Sequence, residues 1–169
     1  MKRTVVGFHL DEAGDWVADL SCRHGQHVRH RPPFQQRPWV LTEEGRRSRL
    51  GAEVECPLCD RCELPSGLRV ARTLGPFDEA TVPDGLRRAH RLPEGTWGLL
   101  RVLNGSAVVT LQAEPATLRR LAAGDSQALP PGLGHHLSID GPVVLIVEFL
   151  GRGDGSPDGR EAAAPGALG

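Results

Sequence analysis

Apolar residues recur along residues 4–9 and again along 15–20, which read as two strands, and the turn Asp11-Glu-Ala-Gly14 between them predicts a β-hairpin. A third strand is expected at 38–41. Thr42 then has the character of a helix N-cap, with Glu43 and Glu44 in the first turn, a helix to Leu50 and Gly51 as its stop. From residue 64 the pattern changes to short β-type runs at 68–73, 86–91, 97–103, 107–112, 117–121, 127–129, 136–139 and 143–150. Gly, Pro, Asp and Asn separate them, and Asn104-Gly105 reads as a hairpin turn. Runs of this kind predict an all-β barrel or sandwich. The most apolar strands are expected at 97–103 and 143–150. From Gly151 the chain turns to Gly, Asp, Ser, Pro and Ala with little to bury, so a disordered tail is expected over 151–169.

Composition sharpens this into two modules. All four cysteines (Cys22, Cys56, Cys59 and Cys62) lie before residue 63 in a chain of 169 residues. A first module of residues 1–63 has little apolar content and needs a staple to fold. The formal net charge of −1 argues against a globally basic nucleic-acid binder, and the longest apolar runs are too short to span a bilayer. The start meets charge before an apolar signal core forms, so the expected compartment is the cytoplasm and no membrane partner is implied. In a reducing compartment clustered cysteines point to metal rather than to disulfides.

The spacing supports that reading. Cys22-Arg-His24 follows the predicted hairpin, and Cys56-Pro-Leu-Cys59 forms a second short chelating pair. Two such pairs let two loops clamp one tetrahedral ion, and mixed Cys/His ligation suits zinc. Cys22, His24, Cys56 and Cys59 are therefore the expected ligands. The competing readings are small buried cysteines, or a role for Cys62 in place of Cys59, in an all-cysteine site or in an iron–sulfur cluster. His27 and His30 read as hydrogen-bonded loop residues.

The interval from Cys22 to Arg49 holds seven arginines with Phe34 and Trp39 among them. Such a patch grips phosphates and stacks bases, with Arg29, Arg31 and Arg37 as candidate nucleic-acid or anion contacts. The opposing reading, favoured here, is a solvated surface, because residues 1–63 carry ten basic and ten acidic residues.

The first module resembles a small bacterial domain family of unknown function, zinc-ribbon-like in character. The resemblance rests on Gly7-Phe-His-Leu-Asp11, Gly14-Asp-Trp16-Val-Ala, Cys22-Arg-His24, Gln26-His-Val-Arg-His30, Pro32-Pro, Arg37-Pro-Trp39-Val and Thr42-Glu-Glu-Gly45. It implies Cys and His at the four proposed ligand positions, leaves Cys62 as an extra and brings no activity.

In the second half, Gly124 to His135 fits G-x(5)-P-x-G-x(2)-H, which resembles the second signature of the cupin barrels. Gly124-Asp125 turns the chain into a short strand, Pro130-Pro131-Gly132 turns it back, and His135 opens the next strand. The first cupin signature is degraded to His90 alone, with Gly98 where a glutamate is usual, so a three-His-one-Glu metal cage does not carry over. Residues 64–150 resemble the small cupin attached to bacterial tellurite-resistance methyltransferases, the TehB/YeaR-like domains. Leu64-Pro, Pro76-Phe, Thr81-Val-Pro83, His90, Trp97-Gly, Val102-Leu-Asn-Gly105, Pro130-Pro131, His135 and Glu148-Phe149 carry this resemblance. It implies a compact barrel binding a small oxyanion, metal or metabolite. It does not imply methyl transfer, since no Gly-rich nucleotide loop is present.

Glu148, in an apolar strand, needs a partner. Either it joins His90 and His135 around a second divalent ion (Zn, Fe or Mn) in the barrel, or it pairs with an arginine such as Arg101 or Arg88. His136 is expected to point away from His135. The fold class expected is thus mainly β, a small zinc-ribbon-like module (1–63) followed by a small cupin, or jelly-roll, β-barrel (64–150).

Three functions stay open at this point. The favoured one is a stress-associated barrel that binds a small molecule, oxyanion or metal beside a structural zinc module. The others are a metal-dependent cupin enzyme of oxygenase or isomerase type, and a ligand sensor whose basic zinc module contacts nucleic acid or protein. A homodimer is a further expectation, by analogy with cupin barrels alone.

Overall fold

The computed structural model describes residues 1–152; residues 153–169, which hold most of the expected tail, lie outside the described residues. Gly151 and Arg152, also assigned to that tail, instead end a strand.

The hairpin forms as β1 (Lys2–Leu10) and β2 (Trp16–Leu20). The Asp11 carboxylate closes its turn by accepting from the backbone N–H groups of Ala13 and Asp15. With β3 (Gly25–His27) and β4 (Glu53–Glu55) it makes a four-stranded antiparallel sheet in the order β3-β2-β1-β4. The strand expected at 38–41 is a 3-10 turn instead. Pro38 presets a helical φ at its start, and Val40 N–H donates to the Arg37 carbonyl. Helix α1 (Glu43–Arg47) starts at the expected cap, where Thr42 Oγ1 accepts from Gly45 N–H at 3.1 Å. It stops short of Leu50 because Gly51 and Ala52 are drawn into backbone bonds with Val5 of β1.

Helix α2 (Pro57–Asp60) follows, and then a six-stranded system. Its members are β5 (Leu68–Asp78), β6 (Trp97–Leu111), β7 (Thr117–Ala122), β8 (Ser126–Leu129), β9 (His135–Ser138) and β10 (Val143–Arg152). One strand organises it. Residues 97–105 of β6 pair with β10 on one side, and residues 98–101 also pair with β8. Residues 106–111 pair with β7, and residues 108–111 also with β9. β6 therefore passes from one sheet to the other and closes the jelly-roll. Asn104-Gly105, expected as a hairpin turn, lies inside this strand, paired with Val144 and Val143 of β10 next to a bulge at Leu103. Gly105 has φ +73°, and a Cβ there would lie 1.9 Å from the Pro142 carbonyl oxygen. The expected strand at 86–91 is replaced by a single helical turn, α3 (Asp84–Arg87), after which only His90 pairs, backbone to backbone, with His135.

β6 also explains how the two sheets meet. Trp97, Gly98, Leu99 and Leu100 are buried in succession, which a strand covered on one face alone does not allow. Leu100 and Val102 face the barrel core, with Val109, Leu129 and Leu145. Trp97 and Leu99, with Leu150 of β10, pack instead into the core of the first sheet, against Val5, Leu20, Val40 and the cysteines.

Candidate metal centre and barrel cavity

Two backbone devices bring four ligands to one point. After β2, Arg23 adopts a left-handed φ of +71°, which folds Cys22 and His24 onto the same side. Cys56 precedes α2, and Pro57 starts the single helical turn that carries Cys59 back over it. Cys22, His24, Cys56 and Cys59 are all buried, and their ligand atoms lie within 4.8 Å of one another.

His24 Nδ1 stands 3.5 Å from the Cys22 sulfur, 3.4 Å from that of Cys56 and 3.6 Å from that of Cys59, while the Cys22 and Cys56 sulfurs are 3.9 Å apart. A tetrahedral zinc with ordinary bond lengths has edges of about 3.8 Å between sulfurs and about 3.6 Å from sulfur to nitrogen. The donor set and its spacing fit that ion. A hydrogen bond from Cys59 brings the Cys22 pKa down to about 5, with His24 assisting, and that same bond with Cys22, then burial and the charge on Cys22, pushes Cys59 up. Burial is the first cause that raises Cys56.

Cys62 stands outside the cluster. It takes a left-handed φ of +53° and packs against the barrel core, so neither an all-cysteine site nor a cluster using Cys62 is assembled. Two neighbours went unnoticed in the sequence. Arg3, buried in β1, donates from Nε to the Cys59 sulfur at 3.2 Å. Trp97 of β6 donates from Nε1 to the Cys22 carbonyl at 2.8 Å and meets the His24 ring edge-on at 5.4 Å. Neither carries a local signal, since both come from distant segments.

His27 bonds Asp11 at 2.8 Å, and His30 accepts from Arg37 N–H, as loop histidines do. Of the candidate anion contacts, Arg29 and Arg31 both bond the Asp15 carboxylate, at 2.6 and 3.3 Å. Arg37 makes no ion pair among the described residues.

In the barrel, Gly124 (φ +91°) and Gly132 (φ +72°) make the expected turns around β8, and buried Pro130 and Pro131 lead to His135 at the start of β9. His90 and His135 come together with ring centres 4.3 Å apart. They border an apolar cavity of about 30 Å³ walled by Leu92, Leu100, Leu129, Val147 and Phe149, roughly the room of one water.

The imidazole tautomers follow from their partners. His90 Nδ1 faces the Arg88 carbonyl at 3.0 Å and His135 Nδ1 the Leu133 carbonyl at 2.9 Å, so both nitrogens carry the proton. Each Nε2 is left as a lone pair, and that of His135 is buried with no partner. Burial pushes the His135 pKa down, against the Leu133 bond and with His90 and His136 adding to the fall.

Glu148 does not join them. It sits between Val147 and Phe149, both of which line the cavity, so alternation along β10 turns it to the other face. There it pairs with Arg101 at 2.7 Å, the second of the two expectations. His136 also departs from expectation, because it borders the cavity and its buried Nδ1 has no partner.

No helix of the described residues is long and apolar enough to cross a membrane. No curated protein matches the chain. Among solved structures, a protein from E. coli (strain K12) has 18% identity and a TM-score of 0.48, over 54% of this chain and 98% of that one. TehB from Haemophilus influenzae has 16% identity and a TM-score of 0.47, over 52% of this chain and 32% of that one. A cupin protein from Bacteroides fragilis has 18% identity and a TM-score of 0.32, over 48% and 64% of the two chains. The chain thus spans about a third of the length of that TehB. Residues 6–63 match the family described as Protein of unknown function (DUF3565), and residues 72–146 match the TehB-like domain.

Proposed function

We propose that this chain is a tellurite-resistance-type, stress-associated binding protein of the cytoplasm. Its barrel takes a small ligand at His90 and His135, and its first module is held by a structural zinc at Cys22, His24, Cys56 and Cys59. The observation that carries the barrel reading is the buried, unpartnered His135 Nε2 beside a second imidazole of the same tautomer. A buried acceptor without a partner is costly, and a binding site is one reason to keep it. Two lone pairs in an apolar wall favour a cation or a hydrogen-bond donor. A bare oxyanion, the other ligand class considered, meets no donor there unless the imidazoles gain protons.

A divalent metal is the ligand that most directly fits a histidine whose Nδ1–H is fixed by a carbonyl. With Glu148 turned away, His136 is the remaining nearby donor. This same feature supports the second reading, a metal-dependent enzyme, in which a bound ion would polarise substrate or activate water. The test is titration of zinc-filled protein with Co2+, and separately with tellurite, followed by melting temperature and visible absorption. The proposal expects Co2+ to raise the melting temperature and give an imidazole-ligated spectrum, both lost in His135→Phe. Tellurite stabilisation without a Co2+ response would move the reading to oxyanion binding. No response to either defeats it. Turnover abolished by His135→Phe would favour the enzyme.

A further inference from the structure

Arg3 is a charged side chain only 8% exposed, yet no carboxylate among the described residues pairs with it. Its Nε–H points at the Cys59 sulfur at 3.2 Å, and its Nη2 reaches only the Met1 thioether at 3.5 Å. A buried guanidinium without an opposite charge is strongly destabilising. A guanidinium so placed calls for a negative charge nearby, and among the described residues it is the Cys59 sulfur that its Nε–H meets. A divalent ion held by three thiolates and a neutral imidazole carries a single net negative charge. One guanidinium cancels it.

We infer that Arg3 is the counter-ion and positioning residue of the metal centre, holding the Cys59 thiolate in its ligating place through Nε–H. This rests on the reading of Cys22, His24, Cys56 and Cys59 as a zinc site. Geometry favours a specific role over general packing. The donor is Nε, the sulfur lies at hydrogen-bond distance for that atom type, and β1 fixes the backbone of Arg3 by pairing it with Val54 of β4. The same guanidinium reaches the barrel, since Nη1 lies 3.5 Å from the position of a Cβ on Gly132. The counter-ion of the centre thus also lies beside the Pro130-Pro131-Gly132 turn that leads to His135.

The experiment uses the full chain and competition for zinc with a chromophoric chelator. Arg3→Met keeps the apolar stem and removes the charge, whereas Arg3→Lys keeps the charge. Outer-shell partners of this kind are worth about 10–100-fold in metal affinity. Arg3→Met should weaken zinc by that factor, while its Co2+-saturated form keeps the wild-type thiolate charge-transfer spectrum. Arg3→Lys should bind more tightly than Arg3→Met. Wild-type affinity in Arg3→Met overturns the inference, as does a loss in Arg3→Lys equal to that in Arg3→Met. If Arg3→Met does not fold, Arg3→Lys decides alone, with a loss beyond about 10-fold counting against the counter-ion role. A wild-type chain that takes up neither zinc nor cobalt removes the centre itself, and Arg3's role with it. Uptake by wild type with no change in Arg3→Met removes only the role of Arg3.

Discussion

His24 and His135 show how one residue type does two jobs under different surroundings. His24 turns Nδ1 toward three sulfurs, and His135 gives its Nδ1 proton to a carbonyl and keeps Nε2 free. Both rings are buried. The folded pKa of His135 lies below the ordinary value of 6.5, first because of burial. The unfolded chain then takes up a proton that the folded barrel refuses, so stability should fall as pH drops below about 6.5 and stay flat above it. The charged or titratable groups facing it are His90 and His136, and no carboxylate lines the cavity among the described residues. Melting curves of His135→Leu should show a shallower loss between pH 6.5 and the acid side than wild type; an equal slope would show that His135 is not the group responsible. The ligand pairs Cys22/His24 and Cys56/Cys59 were legible because each is local, with spacing short enough for one turn to chelate. The place of Glu148 stayed open between the barrel cavity and Arg101 for the opposite reason. Its face depends on the parity of β10, and nothing in an apolar run marks which side is the interior.

Strand β6 is the element on which the architecture depends. Its residues were read as two strands because Asn-Gly usually turns a hairpin, yet each half finds different partners and the chain has no need to reverse there. Gly105→Ala should destabilise by more than about 1 kcal/mol, since it adds a left-handed φ penalty to a clash with Pro142, and denaturant unfolding measures it. An unchanged midpoint would mean that the course of β6 past Pro142 does not depend on this glycine. At the start of the same strand, Trp97→Phe leaves the Cys22 carbonyl without its donor, at a cost of about 1–3 kcal/mol. It should also loosen the metal centre, read as faster zinc transfer to a chelator. Zinc transfer at the wild-type rate would separate Trp97 from the centre. Strand existence was legible from the apolar runs, but the burial of both faces at 97–100 appears only once the first sheet is laid against the barrel.

At the scale of the whole molecule, the proposed metal centre lies where the two modules meet. Trp97, Leu99 and Leu150 of the barrel complete the core around Cys22, Cys56 and Cys59. The two modules therefore share packing at this point. Chelation of the metal should lower the melting temperature of the entire chain rather than melt residues 1–63 alone, and a barrel expressed from residue 64 should aggregate through its uncovered Trp97 face. Two separate transitions in calorimetry would contradict this coupling. The most direct test is elemental analysis of untagged, full-length protein purified without chelator, repeated on Cys22→Ser, with free thiols counted in parallel. The account predicts about one zinc per chain in wild type, bound through protected thiols and lost in Cys22→Ser together with much of the thermal stability. A folded wild-type chain free of metal, with all four thiols reactive and a melting temperature indifferent to chelator and to Cys22→Ser, would contradict it.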